Sequence, residues 1–124
     1  MYKIMIVDDS SLIRRKMKLF LSNKEFEVVG EAENGIQAIS VYKECNPDIV
    51  TLDITMPVMG GLETASKILA LNKDAKIIMV SAMGQKEIII DAVKIGIKHF
   101  IVKPFIEEEL IKIINDVILF GKKS

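Results

Sequence analysis

The sequence is poor in the residue types that mark several common classes of protein. Its one cysteine, Cys45, cannot form an internal disulfide, which favours a reducing compartment. No apolar stretch approaches the ~18 residues that a membrane-spanning helix needs. The first predicted strand begins at Lys3, which leaves no room for a signal peptide ahead of it. We therefore expect a cytoplasmic protein that does not enter a membrane.

The chain also has no excess of charge of either sign. Its 17 Lys and Arg residues balance 17 Asp and Glu residues, whereas proteins that bind nucleic acids usually carry a basic excess. A single histidine and a single cysteine leave it without the spaced ligands that zinc prefers. We expect neither a nucleic-acid partner nor a zinc site.

Short apolar runs alternate with longer amphipathic segments along the chain. The runs are rich in Ile and Val and do not alternate with polar residues, as is typical of strands covered on both faces; they comprise residues 4–7, 26–30, 49–52, 77–80 and 100–102. Helical patterns begin near residues 10, 35, 62, 86 and 106. This alternation predicts an α/β protein whose parallel sheet lies between helices. Because five βα units use nearly every residue, we expect one domain over residues 1–124, without an output domain.

Four of the five runs end in polar residues of complementary kinds. Asp8 and Asp9 follow the first run, and Asp53, Ser81 and Lys103 follow the third, fourth and fifth. The second run ends in no reactive residue. Ligands of doubly wound sheets bind outside the carboxyl ends of the strands, so we expect these five side chains to form a site.

The chemistry of such a site follows from its charges. Three carboxylates placed together repel one another unless a cation neutralises them. A set of few oxygen ligands, with positions left open for water and phosphate, favours Mg²⁺. A carboxylate beside Mg²⁺ can attack phosphorus to give an aspartyl phosphate, and Mg²⁺, Lys103 and the Ser81 hydroxyl can each neutralise one equatorial oxygen. Ala82 is small and leaves room for the phosphoryl group.

Four sequence motifs identify a family. They are Val-Asp-Asp-Ser at residues 7–10, Asp-Ile-Thr-Met-Pro-Val-Met-Gly at 53–60, Ser-Ala-Met-Gly-Gln at 81–85 and Phe-Ile-Val-Lys-Pro-Phe at 100–105. With these motifs in this order and spacing, the chain resembles response-regulator receiver domains, and among them the single-domain chemotaxis regulators. The resemblance covers the whole chain. It implies a flavodoxin-like, three-layer (βα)5 fold with strand order 2-1-3-4-5.

The resemblance also implies a role for each site residue. Asp53 would be the phosphorylated aspartate. Asp9, Asp53 and the backbone carbonyl of Thr55 would bind Mg²⁺, and Asp8 would assist largely through water. Lys103 and Ser81 would contact the phosphoryl group.

A switch is implied beyond the site itself. Phe100 would turn inward as Ser81 moves, and the bond between Lys103 and Pro104 would be cis. Two residues depart from the common pattern, because Ser81 stands where Thr is frequent and Phe100 where Tyr is frequent. Since Phe100 has no hydroxyl, any part of the switch that needs a phenolic hydrogen bond is in doubt.

The predicted fourth helix has more apolar residues than one buried face needs. Its first stripe consists of Ile88, Ala92 and Ile95. Ile89 and Val93 form a second stripe. Either the helix is deeply buried, or the second stripe stays partly exposed beside Phe100 and binds a partner. The resemblance favours a partner surface of Ile89, Val93 and Phe100.

Taken together, the residues predict a phosphorylation-activated signalling switch. The resemblance implies a monomer that receives its phosphoryl group from a CheA-like histidine kinase and acts on the flagellar motor switch, with a phosphatase as a further partner. Its only activities would be phosphotransfer to itself and autodephosphorylation. One alternative is a phosphorelay shuttle that passes phosphate to a histidine phosphotransfer protein. Another is a small-molecule hydrolase with an aspartyl-phosphate intermediate, for which five βα units leave no substrate-binding cap.

Overall fold

The computed structural model of the chain describes residues 1–22 and 25–123. Five parallel strands form one sheet in the order β2-β1-β3-β4-β5. In chain order they are β1 (Tyr2–Val7), β2 (Phe26–Ala32), β3 (Ile49–Asp53), β4 (Ile77–Ala82) and β5 (His99–Lys103). The predicted α/β class and strand order are confirmed.

A helix follows each strand. The helices are α1 (Ser11–Phe20), α2 (Gly35–Cys45), α3 (Gly61–Leu71), α4 (Lys86–Lys94) and α5 (Glu107–Lys123). Two of them begin at side-chain caps, because the Ser10 hydroxyl accepts from the backbone N–H of Ile13 and the Asn34 side chain accepts from the backbone N–H of Gln37. No helix in the described part of the chain is long and apolar enough to cross a membrane.

Two apolar clusters lie on opposite faces of the sheet. Successive strand residues alternate between them, so that Met5 packs on the side of α2, α3 and α4 while Ile4 packs on the side of α1 and α5. Both faces of the inner strands are therefore covered, which explains why the apolar runs show no polar alternation. The carboxyl ends of the strands remain the open edge of the sheet.

The start of α3 lies directly against the end of β3. The backbone N–H of Gly61 donates to the Ile54 carbonyl at 2.8 Å, and a Cβ at Gly61 would overlap the carbonyl oxygen of Asp53 and the Cα of Ile54. Glycine is therefore required here for a close approach of two backbones. This contact fixes the loop that carries Asp53.

Helix α4 is not deeply buried. Ala92 is its only fully buried residue, and Ile88 and Ile89 are half-buried. Val93 is 56% exposed and Ile90 is 55% exposed. The expected apolar stripe that includes Ile95 is thus only partly buried, since Ile95 is itself exposed. Of the two alternatives for this helix, the structure shows the partly exposed one.

Candidate functional site

Three carboxylates meet at the carboxyl edge of the sheet. Asp8 and Asp9 follow β1, Asp53 ends β3, and these strands are neighbours in which Val7 pairs with Leu52. One oxygen from each carboxylate lies within 4.8 Å of the other two. Asp8 and Asp53 are buried, whereas Asp9 is exposed. The sheet order therefore brings together the acidic residues that the sequence predicted.

Backbone amides hold the two buried carboxylates in place. The N–H of Ser10 donates to Asp8 Oδ1 at 2.9 Å, and the N–H of Thr55 donates to Asp53 Oδ1 at 3.3 Å. Each carboxylate accepts from the residue two positions later, which is the Asx-turn geometry of a tight loop. The loops thus orient the carboxylates before any ligand binds.

Lys103 supplies the positive charge of the site. Its Nζ lies 2.8 Å from Asp8 Oδ2 and 3.6 Å from Asp53 Oδ2. Burial lowers the pKa of Lys103, but the hydrogen bond that Lys103 donates to Asp8 and the charges of both carboxylates outweigh burial and raise that pKa. Lys103 is therefore an ammonium at neutral pH. Its peptide bond to Pro104 is cis.

The surroundings of Asp53 change its pKa. Burial raises its pKa to about 6, and the neighbouring charge of Asp8 adds to this effect. The Lys103 ammonium and the Thr55 N–H oppose the rise. When all three carboxylates are ionised, three negative charges face one positive charge, which leaves a net charge of minus two.

This arrangement fits a hard divalent cation. The donor set consists only of oxygens, its excess charge is negative, and two of its carboxylates are removed from bulk water. Oxygen ligands from a few carboxylates, with room left for water, suit Mg²⁺. Asp8, Asp9 and Asp53 could hold the ion, together with the backbone carbonyl of Thr55 in the same loop.

The Ser81 hydroxyl is buried without a partner. Ser81 is 1% exposed, and its Oγ has no hydrogen-bond partner among the described residues. It lies on β4 one residue beyond Val80, which pairs with Asp53. An unsatisfied buried hydroxyl costs free energy. A ligand with acceptor oxygens at this edge of the sheet would therefore be stabilised by a hydrogen bond from the Ser81 hydroxyl.

The remaining predicted residues lie on α4 and β5. Phe100 on β5 and Ile89 on α4 are half-buried, and both pack against the apolar cluster that includes Ala92. Val93 is largely exposed. Ile90 is equally exposed, and the sequence patterns gave it no role.

Two further side chains contact the site loops and were missed by sequence reasoning. Arg14 Nη1 donates to the backbone carbonyl of Asp8 at 2.6 Å. Gln85 connects two loops, because its Oε1 accepts from the N–H of Ala82 at 2.6 Å and its Nε2 donates to Thr55 Oγ1 at 3.0 Å. Gln85 belongs to the motif at residues 81–85, but the motif does not specify its partners, and two of the three hydrogen bonds involve a backbone group.

Comparisons with known proteins agree with this geometry. The family described as the response regulator receiver domain matches residues 4–115. The chemotaxis protein CheY of Listeria monocytogenes is 54% identical over 105 residues, which are 85% of this chain and 88% of that protein. CheY of Bacillus subtilis is 49% identical over 114 residues, 92% of this chain and 95% of that protein.

A solved structure shares the architecture. The CheX-CheY-BeF3-Mg complex from Borrelia burgdorferi contains a chain that is 35% identical, with a TM-score of 0.88 over 94% of this chain and 89% of that chain. The sheet order, the acidic edge and the sequence match thus lead to one conclusion. The chain belongs to the response regulator receiver domain family.

Proposed function

We propose that this protein is a phosphorylation-activated switch that acts in chemotaxis. The observation that carries the proposal is the position of Asp53, a buried carboxylate 3.6 Å from the Lys103 ammonium and grouped with two further carboxylates. A nucleophile, a cation for the developing charge and a metal-binding acidic cluster are the groups that phosphoryl transfer to a carboxylate requires.

The transfer begins with an ionised Asp53. One of its carboxylate oxygens forms a bond to phosphorus while the bond between phosphorus and the donor breaks. With a phosphohistidine donor the broken bond is P–N, and the departing imidazole takes up a proton from water. Lys103 stays protonated and neutralises part of the charge on the phosphoryl oxygens. Bound Mg²⁺ would neutralise further charge on those oxygens.

The phosphoryl group then changes the surface beyond the site. It offers acceptor oxygens to the Ser81 hydroxyl, which has no hydrogen-bond partner among the residues that the structure describes. Movement of Ser81 at the end of β4 alters the space that Phe100 occupies on the same side of the sheet. A target that prefers the altered surface of Ile89, Val93 and Phe100 would then bind more tightly, so that phosphorylation shifts a conformational equilibrium.

The relatives support a chemotaxis role and particular partners. Several matched proteins are named chemotaxis protein CheY, which supports a CheA-like histidine kinase as donor and the flagellar motor switch as target. The Borrelia burgdorferi complex pairs CheY with CheX, which supports a further partner of the phosphatase kind. A location in the cytoplasm is part of the same proposal.

Phosphorylation is tested with acetyl phosphate and Mg²⁺. The wild-type protein should gain the mass of one phosphoryl group, and Asp53→Asn should gain none. Asp74→Asn, which alters an exposed aspartate in the loop before β4, is the matched control and should behave as the wild type. Failure of the wild type to gain mass would refute the proposal.

The output is tested separately with candidate partners. Wild-type protein, with and without phosphorylation, is passed over an immobilised motor-switch protein and an immobilised histidine phosphotransfer protein. We expect phosphorylation to increase retention by the motor-switch protein. Retention by the phosphotransfer protein alone would instead indicate a phosphorelay shuttle.

A further inference from the structure

The Gln85 side chain connects the two loops that border the phosphoryl site. It accepts a hydrogen bond from the N–H of Ala82, the last residue of β4, and donates one to the hydroxyl of Thr55, in the loop after β3. Gln85 directly precedes α4, yet its side chain does not cap that helix. Its amide oxygen and nitrogen instead form hydrogen bonds with residues beside the site.

The amide of Ala82 points toward the end of β3. The N–H of Ile54 donates to the Val80 carbonyl, so the backbone of Val80 faces β3. Because alternate residues of a strand face the same neighbour, the N–H of Ala82 also faces β3. At that level β3 has ended at Asp53, and the loop that carries Thr55 begins.

Ala82 N–H is therefore a natural donor to a phosphoryl group on Asp53. It is adjacent in the chain to Ser81, whose unpartnered hydroxyl lies at the same edge. Preorganised backbone N–H groups are effective partners for phosphoryl oxygens. In the structure, however, this N–H is already bound by Gln85 Oε1 at 2.6 Å.

We propose that Gln85 competes with the phosphoryl group for the Ala82 N–H and so holds the protein in its unphosphorylated conformation. The proposal rests on the proposed function of Asp53. Phosphorylation displaces the Gln85 amide, which also breaks its contact with Thr55. Since Gln85 immediately precedes Lys86, the first residue of α4, its release transmits the change from Asp53 to the start of that helix.

A contact that exists only in the unphosphorylated state opposes phosphoryl binding. Two neutral hydrogen bonds, partly replaced by water when they break, should reduce the affinity for a phosphoryl mimic about three- to tenfold. Gln85→Met keeps the length of the side chain but removes both hydrogen bonds. This variant should therefore bind the mimic about three- to tenfold more tightly than the wild type.

The experiment measures beryllofluoride binding by titration calorimetry in saturating Mg²⁺. Gln37→Met is the matched control, because Gln37 Oε1 also accepts a backbone N–H, that of Glu33, but at the start of α2. We expect this control to match the wild type. The affinity for Mg²⁺ alone should agree within about twofold among the three proteins, since Gln85 contacts none of the carboxylates.

Two readouts separate competition from a purely structural role. Amide hydrogen exchange of Ala82 in metal-free protein should be faster in Gln85→Met than in the wild type, with no change at Glu33. Thr55→Val removes the other end of the bridge and should tighten beryllofluoride binding in the same direction. The double variant Thr55→Val with Gln85→Met should bind beryllofluoride no more tightly than Gln85→Met alone, because both substitutions break the same bridge.

The outcomes distinguish this proposal from the proposed function. If wild-type protein binds no beryllofluoride, both are overturned. If the wild type binds and Gln85→Met binds equally or more weakly, only the role of Gln85 is overturned, and weaker binding would make Gln85 a ligand of the phosphoryl group.

Discussion

Replacing Asp53 by Asn should stabilise the metal-free protein above neutral pH. Burial and the charge of Asp8 raise the pKa of Asp53 from 3.8 to about 6, so the folded state disfavours the ionised carboxylate relative to the unfolded chain. A shift of about two units corresponds to about 3 kcal/mol, at 1.36 kcal/mol per unit. Asn is nearly isosteric and cannot ionise, so it avoids this cost.

The sign of the pH dependence follows from linkage. Below pH 3.8 the carboxylate is protonated in both states, and ionisation costs nothing. As the pH rises from 3.8 to about 6, the unfolded state releases its proton first and wild-type stability falls relative to Asp53→Asn. Above about pH 7 the full difference is present. For a domain of 124 residues it corresponds to a rise of about 10 °C in Tm.

The assay is urea unfolding in EDTA at pH 4 and pH 8, followed by far-ultraviolet circular dichroism. Asp74→Asn serves as the control and should match the wild type at both pH values. Saturating Mg²⁺ at pH 8 should stabilise the wild type more than Asp53→Asn, because the ion binds the ionised carboxylate. Equal or lower stability of Asp53→Asn at pH 8 in EDTA would show that the ionised Asp53 carboxylate does not destabilise the folded state.

Other substitutions test the surroundings of the site. Lys103→Met should lower the metal-free unfolding free energy by about 2–3 kcal/mol, because it removes the ammonium that pairs with the buried carboxylate of Asp8. Urea unfolding in EDTA measures this, and an unchanged midpoint would contradict it. Met83→Glu should speed loss of the phosphoryl group about tenfold by orienting water, at little cost in stability since Met83 is 82% exposed; an equal or slower decay by mass spectrometry would refute this. Gly61→Ala should cost about 2 kcal/mol and weaken calorimetrically measured Mg²⁺ binding, whereas Gly60→Ala should be neutral because its Cβ would meet nothing nearer than 3.8 Å.

Local sequence patterns determined the secondary structure closely. The strand and helix positions followed from the apolar runs and the helical patterns, because these signals act over a few residues. In the structure, α1 and α2 begin at the side-chain caps Ser10 and Asn34. The ends of the helices were harder to predict, because a single backbone conformation can decide where a helix ends. Helix α2, for example, ends where Asn46 adopts a left-handed conformation with φ of 47°.

The parallel arrangement made the site predictable as well. Once Asp53 and Lys103 are placed at the carboxyl ends of parallel strands, the topology carries them to one edge of the sheet. The resemblance added the order of the strands and the separate roles of the residues. Their relative distances, such as 3.6 Å between Lys103 Nζ and Asp53 Oδ2, required the packed structure.

The sequence by itself thus determined which residues reach the site, because strand position and chain order are local properties. Only the tertiary structure decided what those residues contact. The hydrogen bond from Arg14 to the Asp8 carbonyl depends on one side-chain conformation, and the bridge made by Gln85 reaches a residue 30 positions away in the chain. The burial of the Ser81 hydroxyl without a partner among the described residues depends on the packing around β4. Periodicity carries no information about such contacts, because they form only after the sheet has brought its loops together.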